Sequence, residues 1–242
     1  MMGSKGEGIM TELIVALDLS TLAEVERMVA HLGVSVDFYK IGLELFSAEG
    51  PEVVRCVKAH GKRVFLDLKL HDIPRTVERA VKAGAALGVD LMTVHAAGGR
   101  AMITAAQEGA HSAGLAYPRI LAVTALTSLD QNDLSDLGIQ RSMSEQVAAM
   151  GMLAMRSGAD GIVCSPREVG EMRRLLGPAA LLVTPGVRPV GADLGDQKRV
   201  ATPAAAVRDG ATHLVIGRPI LEAPHPATAA ASILAEIRQA GG

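Results

Sequence analysis

Short apolar, β-branched runs alternate with longer Ala-, Leu- and Val-rich stretches at helical spacing along most of the chain. The short runs fall at 13–17, 36–41, 63–68, 90–95, 119–124, 160–163, 181–184 and 212–216. They are nearly continuously apolar, the pattern of strands buried on both faces in a parallel sheet covered by helices. Helices are predicted near 21–32, 47–60, 75–88, 99–113, 143–157, 166–176, 202–209 and 226–239. Eight such alternations predict an α/β fold, a closed (β/α)8 TIM barrel, with an open doubly wound sheet as the structural alternative. The longest irregular stretches, 125–142 and 185–201, are candidate lids or binding loops.

The chain length of 242 residues suits one such barrel, which typically takes roughly 250. A single catalytic domain over 11–242 is expected, behind a disordered N-terminal tail over 1–10 that lacks the apolar core of a signal peptide. The formal net charge of −2 gives no general basic footprint for nucleic acid or an anionic membrane. Aromatic residues, at 2%, are too few for stacked-base recognition, and no stretch is apolar enough to span a bilayer. Cys56 and Cys164 lack metal-type pairing and fit reduced thiols in a cytoplasmic protein.

In a barrel of this kind chemistry belongs at the C-terminal strand ends. There the sequence places Asp18, Lys40, Asp67, Lys69, Asp72, His95, the Thr124–Ser128 segment, Arg188, Gln197 and Gly217-Arg218. Asp67 and Lys69 are two apart, so on a strand both face the barrel mouth while Leu66, Leu68 and Leu70 face the helices. Taken alone, that pair fits a structural ion pair closing the barrel top as well as it fits catalysis. Lys40 and Asp18 on neighbouring strands tilt the balance, because four or five charges at one mouth are costly to build for stability alone. Pro74 puts Asp72 in a turn, free to meet a ligand or a neighbouring subunit. His71 is expected to face away from Asp67, and His95 reads equally as a hydrogen-bonded strand-end residue.

The segment Asp67-x-Lys69-x-x-Asp72-Ile73-x-x-Thr76 resembles the signature of orotidine 5′-phosphate decarboxylases. Val15-Ala16-Leu17-Asp18, Tyr39-Lys40-Ile41-Gly42, Thr93-Val94-His95-Ala96-Ala97-Gly98-Gly99, Thr184-Pro185-Gly186-Val187-Arg188, Asp196-Gln197-Lys198-Arg199 and Ile216-Gly217-Arg218-Pro219-Ile220 extend the resemblance from about residue 11 onward. It implies conversion of orotidine 5′-phosphate to UMP without metal or cofactor. It also implies a homodimer in which Asp72, Ile73 and Thr76 reach the partner's site. The implied catalytic tetrad is Lys40, Asp67, Lys69 and Asp72 of the other chain.

Loss of CO₂ from pyrimidine C6 leaves electrons with no π sink, so fixed positive charge beside C6 is the simplest stabiliser in the absence of a cofactor motif. Lys69 would be that cation and the acid that protonates C6, with Asp67 keeping it charged and aimed. Lys40 and Asp18 would meet ribose hydroxyls, and Thr127 the pyrimidine. Arg188, Gln197, Gly217 and Arg218 would hold the phosphate, the last two near a helix start. Two rival functions stay open. A phosphosugar enzyme of the same barrel group would use Mg²⁺ and an acidic residue at the end of the second strand, where this chain has Lys40. A non-catalytic nucleotide-binding barrel would keep the phosphate residues and have no need of Lys69.

Overall fold

Strands too apolar to face water on either side form one sheet in which every strand is covered twice. The computed structural model describes residues 10–114, 118–189 and 201–241. Its parallel strands are β1 (Glu12–Ala16), β2 (Phe38–Gly42), β3 (Arg63–Leu70), β4 (Leu91–His95), β5 (Arg119–Val123), β6 (Gly161–Val163), β7 (Leu181–Thr184) and β8 (His213–Ile216). Each pairs with the next and β8 pairs with β1, so the barrel closes and the open-sheet alternative falls. The helices are α1 (Leu22–Leu32), α2 (Leu43–Glu49), α3 (Glu52–Ala59), α4 (Pro74–Ala85), α5 (Gly99–His111), α6 (Gln131–Asp136), α7 (Met143–Arg156), α8 (Val169–Leu176), α9 (Pro203–Arg208), α10 (Arg218–Leu221) and α11 (Pro226–Gly241).

Side-chain alternation divides the apolar residues into two cores. Ile14, Phe38, Phe65, Leu121 and Val183 fill the barrel interior. Val15, Ile41, Leu66, Val94 and Ile162 face outward to the helices. A repeated device closes the lower rim. Asp90, Asp160 and Thr212, each just before an even-numbered strand, accept the backbone N–H of Val64, Ile120 and Leu182 at 2.8, 2.8 and 2.9 Å. Each also donates its own N–H to the carbonyl of that same residue at 2.8–2.9 Å. The side chain thus pairs a strand-start N–H that would otherwise be buried alone.

The structure corrects three local expectations. The helix expected over 47–60 is two helices, α2 and α3, because Gly50 takes φ 62° and Pro51 follows it as the N-cap of α3. The stretch 125–142 contains α6, started by Asp130, whose carboxylate accepts from Asn132 N and Asp133 N. The β3 strand does not keep plain alternation to its end: its register with β4 shifts between Leu66 and Leu70. The tail expected over 1–10 falls, apart from Met10, outside the described residues. So does Gln197 with the rest of 190–200, although Val187 and Ala201 on either side of that stretch pair as a parallel bridge.

Candidate active site

Asp18, Lys40, Asp67, Lys69, Thr127, Arg188, Gly217 and Arg218 line one cavity of about 260 Å³ at the C-terminal mouth of the barrel. Six strands and their loops deliver them, as the barrel topology demands. Lys69 Nζ donates to Asp67 Oδ2 at 2.8 Å. Lys40 Nζ lies 3.9 Å from that same oxygen and donates to Asp18 Oδ1 at 3.3 Å. Two glycines leave room for the cluster: a Cβ on Gly42 would stand 2.9 Å from Lys40 Nζ, and one on Gly217 would stand 3.0 Å from Asp18 Oδ2. Among the described residues the cavity wall carries four cations, Lys40, Lys69, Arg188 and Arg218, against two carboxylates, Asp18 and Asp67. A chain of net charge −2 therefore concentrates positive charge where a ligand would enter.

The end of β3 is built around Lys69. Leu66 pairs with Met92 and Leu70 with Val94, so four steps along β3 match two along β4. The surplus is taken up in a bulge. Lys69 has φ 51°, the one non-glycine residue with positive φ among the described residues. Such a backbone is held only when its surroundings over-determine it. Part of that hold comes from Thr93, a residue sequence reasoning passed over. Its Oγ1 accepts from Lys69 N at 2.9 Å and donates to Asp67 Oδ1 at 2.9 Å. The available signal was period-two alternation: Thr93 lies two residues before His95 and so on the same, inward face of β4.

The exposed His71 packs its ring 5.4 Å, centroid to centroid, from that of His95. Burial first, then the positive fields of His71 and Lys69, push the His95 pKa below the usual histidine value, while Asp67 pulls the other way. His95 is therefore neutral near pH 7.

Within one chain, Asp72, Ile73 and Thr76 do not join the cavity wall. All three are exposed, Ile73 to 67%, and Asp72 Oδ1 accepts the adjacent Ile73 N–H at 2.6 Å. A larger cavity of about 500 Å³ opens at the opposite end of the barrel, lined by residues that include Glu12, Phe38, Arg63 and Arg238. Its Glu12 and Arg63 are already paired with each other, and strand N-termini rarely carry the chemistry of this fold. Among the described residues, no three His, Cys, Asp or Glu side chains are grouped to hold a metal ion, and no helix is long and apolar enough to cross a membrane.

A family model described as orotidine 5′-phosphate decarboxylase / HUMPS family matches residues 11–233. The orotidine 5′-phosphate decarboxylase of Moorella thermoacetica is 52% identical over 231 residues, covering 93% of this chain and 92% of that protein. The enzyme of that name from Rhodopseudomonas palustris is 49% identical over 230 residues, covering 95% of each. The crystal structure of orotidine 5′-phosphate decarboxylase from Lactobacillus acidophilus superposes with a TM-score of 0.85 at 39% identity, covering 94% of this chain and 99% of that one.

Proposed function

The chain belongs to the orotidine 5′-phosphate decarboxylase / HUMPS family, and from that membership we propose that it is a carboxy-lyase converting orotidine 5′-phosphate to UMP and CO₂. The observation that carries the reading is the Lys69 ammonium, held 2.8 Å from Asp67 and lining the same cavity as Arg188 and Arg218. A substrate that carries both a carboxylate and a phosphate matches a cavity lined by Lys40, Lys69, Arg188 and Arg218.

In the reaction the bond from C6 to the carboxylate breaks and its electron pair stays on C6. CO₂ leaves, and C6 takes a proton from Lys69 Nζ. The neutral amine then regains a proton from solvent. A preorganised ammonium stabilises the developing carbanion far better in a water-poor pocket than in bulk water. Asp67 keeps Lys69 aimed, and Lys40 balances Asp67 and Asp18 while offering a donor to the ribose. Thr127 meets the pyrimidine. Arg188, Gly217 and Arg218 hold the phosphate, with Gln197 assigned to the same group from sequence alone. Phosphate binding far from C6 stabilises the closed arrangement that the chemistry needs.

The exposed Asp72, Ile73 and Thr76 are supplied to the site of a second copy in an isologous dimer. Their solvent exposure in the single chain and their place beside β3 support that assignment. Neither Cys56 nor Cys164 forms a disulfide, which suits a reducing, cytoplasmic compartment.

Lys40 separates this reading from the Mg²⁺-dependent phosphosugar enzymes. Its ammonium lies 3.3 Å from Asp18 and 3.9 Å from Asp67, so it occupies the space beside the carboxylates that a divalent cation would need. The deciding assay mixes purified protein with orotidine 5′-phosphate in excess EDTA and follows the loss of orotate absorbance. Turnover to UMP is expected. No turnover by folded, dimeric protein would overturn the metal-free reading. Activity on phosphosugars restored by Mg²⁺ would then favour the sugar enzyme, and tight UMP binding alone a binding barrel.

A further inference from the structure

We propose that Thr93 is a positioning residue for the proposed decarboxylation, its single hydroxyl setting both the carboxylate of Asp67 and the backbone of Lys69. The proposal deepens the functional reading above and rests on it. Thr93 is fully buried in the middle of β4, on the inward face, directly beneath the charged cluster. A position in that layer needs only an apolar side chain to fill it, as Leu91 does one step below. A hydroxyl there must be matched by partners, and it has two.

The first partner is Lys69 N, whose N–H reaches Thr93 Oγ1 at 2.9 Å. The bulge in β3 displaces this N–H from the regular ladder to β4. The threonine oxygen therefore stands in for a missing backbone carbonyl. It does so at the residue whose φ is 51°, where a lysine gains nothing intrinsic from the left-handed region. The second partner is Asp67 Oδ1, to which Thr93 donates at 2.9 Å. Because Oγ1 already accepts from Lys69, its hydrogen is directed at the carboxylate. The two oxygens of Asp67 are thereby divided: Oδ1 faces down to Thr93, and Oδ2 faces Lys69 at 2.8 Å and Lys40 at 3.9 Å. One buried hydroxyl thus fixes both ends of the Asp67–Lys69 pair, the carboxylate directly and the ammonium through its own backbone.

This predicts loss of turnover without loss of ligand affinity. Thr93→Val keeps the shape and removes the hydroxyl; Thr93→Ser keeps the hydroxyl. Thr93→Val is expected to lower kcat on orotidine 5′-phosphate by about 10- to 100-fold, the rate equivalent of one hydrogen bond to a charged group. The dissociation constant of UMP should change by less than about threefold, since the phosphate-end cations are untouched. Thr93→Ser should restore kcat to within about fivefold of wild type, a loss below one such hydrogen bond. Hydrogen exchange at the Lys69 amide, read by NMR, should quicken in the valine variant and stay slow in the serine variant. If Thr93→Val does not fold, Thr93→Ala carries the same expectations. The proposal is overturned if the hydroxyl-free variants keep kcat within about threefold, if serine and valine are equally impaired, or if UMP affinity falls in step with kcat. Wild-type protein that exchanges the Lys69 amide slowly but does not turn over the nucleotide would instead overturn the parent reading, and the positioning role of Thr93 in that reaction with it.

Discussion

Replacing His213 by glutamine should flatten the acid side of the stability profile. His213 opens β8 at the lower rim, 7% exposed. Its Nδ1 lies 2.9 Å from Thr212 Oγ1, its ring meets Phe38 edge-on at 6.0 Å, and its Nε2 lies 3.7 Å from Glu12 Oε1. Arg63 stacks over the same Phe38 ring at 4.3 Å and pairs with Glu12. Burial dominates and pushes the His213 pKa from 6.5 to about 4; Glu12 opposes the shift and Arg63 adds to it. At pH 7 His213 is therefore neutral, and the 3.7 Å approach to Glu12 is no ion pair. The folded pKa lies below the unfolded one, so the unfolded chain binds the extra proton as pH falls. Stability is complete above about pH 6.5 and is lost progressively toward pH 4. A shift of that size corresponds to about 3 kcal/mol over the window. His95, also depressed by burial, adds a loss of the same sign in both proteins. Urea unfolding of wild type and His213→Gln at one protomer concentration, from pH 7.5 to 4.5, measures the difference. The two curves should converge as pH falls, by about 3 kcal/mol if the shift is whole. Parallel curves would refute the reasoning, because the stability gap would then owe nothing to a proton.

Lys69→Ala should lower kcat by at least about 100-fold while the protein stays folded and still binds UMP; turnover within about tenfold of wild type would remove Lys69 from its role. Arg218→Ala should reduce kcat/KM for orotidine 5′-phosphate at least about tenfold more than for the phosphate-free nucleoside, and equal losses would place Arg218 away from the phosphate. Mixing inactive Lys69→Ala and Asp72→Ala chains should restore about a quarter of wild-type activity, because half the dimers are hybrids and each carries one intact site if Asp72 acts across a two-fold interface. No recovery after subunit exchange, verified by mass spectrometry, would put Asp72 in its own chain's site.

The strands were legible because their chemistry is one-dimensional. A run such as Leu13–Leu17 is apolar at every position because alternate residues feed two different cores. The helix α6 was not legible for the opposite reason. Its six residues bury only Leu134, and its ends are held by the Asp130 capping box rather than by an apolar stripe. The break between α2 and α3 was written in Gly50-Pro51, but the apolar spacing continues across it through Val53, Val54 and Val57. At the site, charged residues at strand ends announced themselves because a charge in an apolar context needs a reason. Thr93 gave no such signal, since a threonine in a strand is ordinary. The bulge was hidden for a further reason: the residue at φ 51° is a lysine, and sequence reasoning looks for glycine or asparagine there.

The two ends of the barrel treat polar side chains in opposite ways, and this separates stability from chemistry. At the lower rim Asp90, Asp160 and Thr212 each close on the backbone of the preceding strand, and Arg63 closes on Glu12 and Phe38. Those groups are matched within the fold. At the upper rim Asp67 is matched by Thr93 and Lys69, but Lys69 keeps a side-chain exposure of 36% beside a cavity with more cations than carboxylates. An anionic ligand complements those cations. A titration at the lower rim should therefore move stability without moving the pH dependence of turnover, whereas one at His95 should move the latter. His213→Gln is the variant that tests this separation: its kcat profile from pH 5.5 to 7.5 should overlay that of wild type even where its stability does not. A displaced profile would mean that the two rims are coupled through the barrel core.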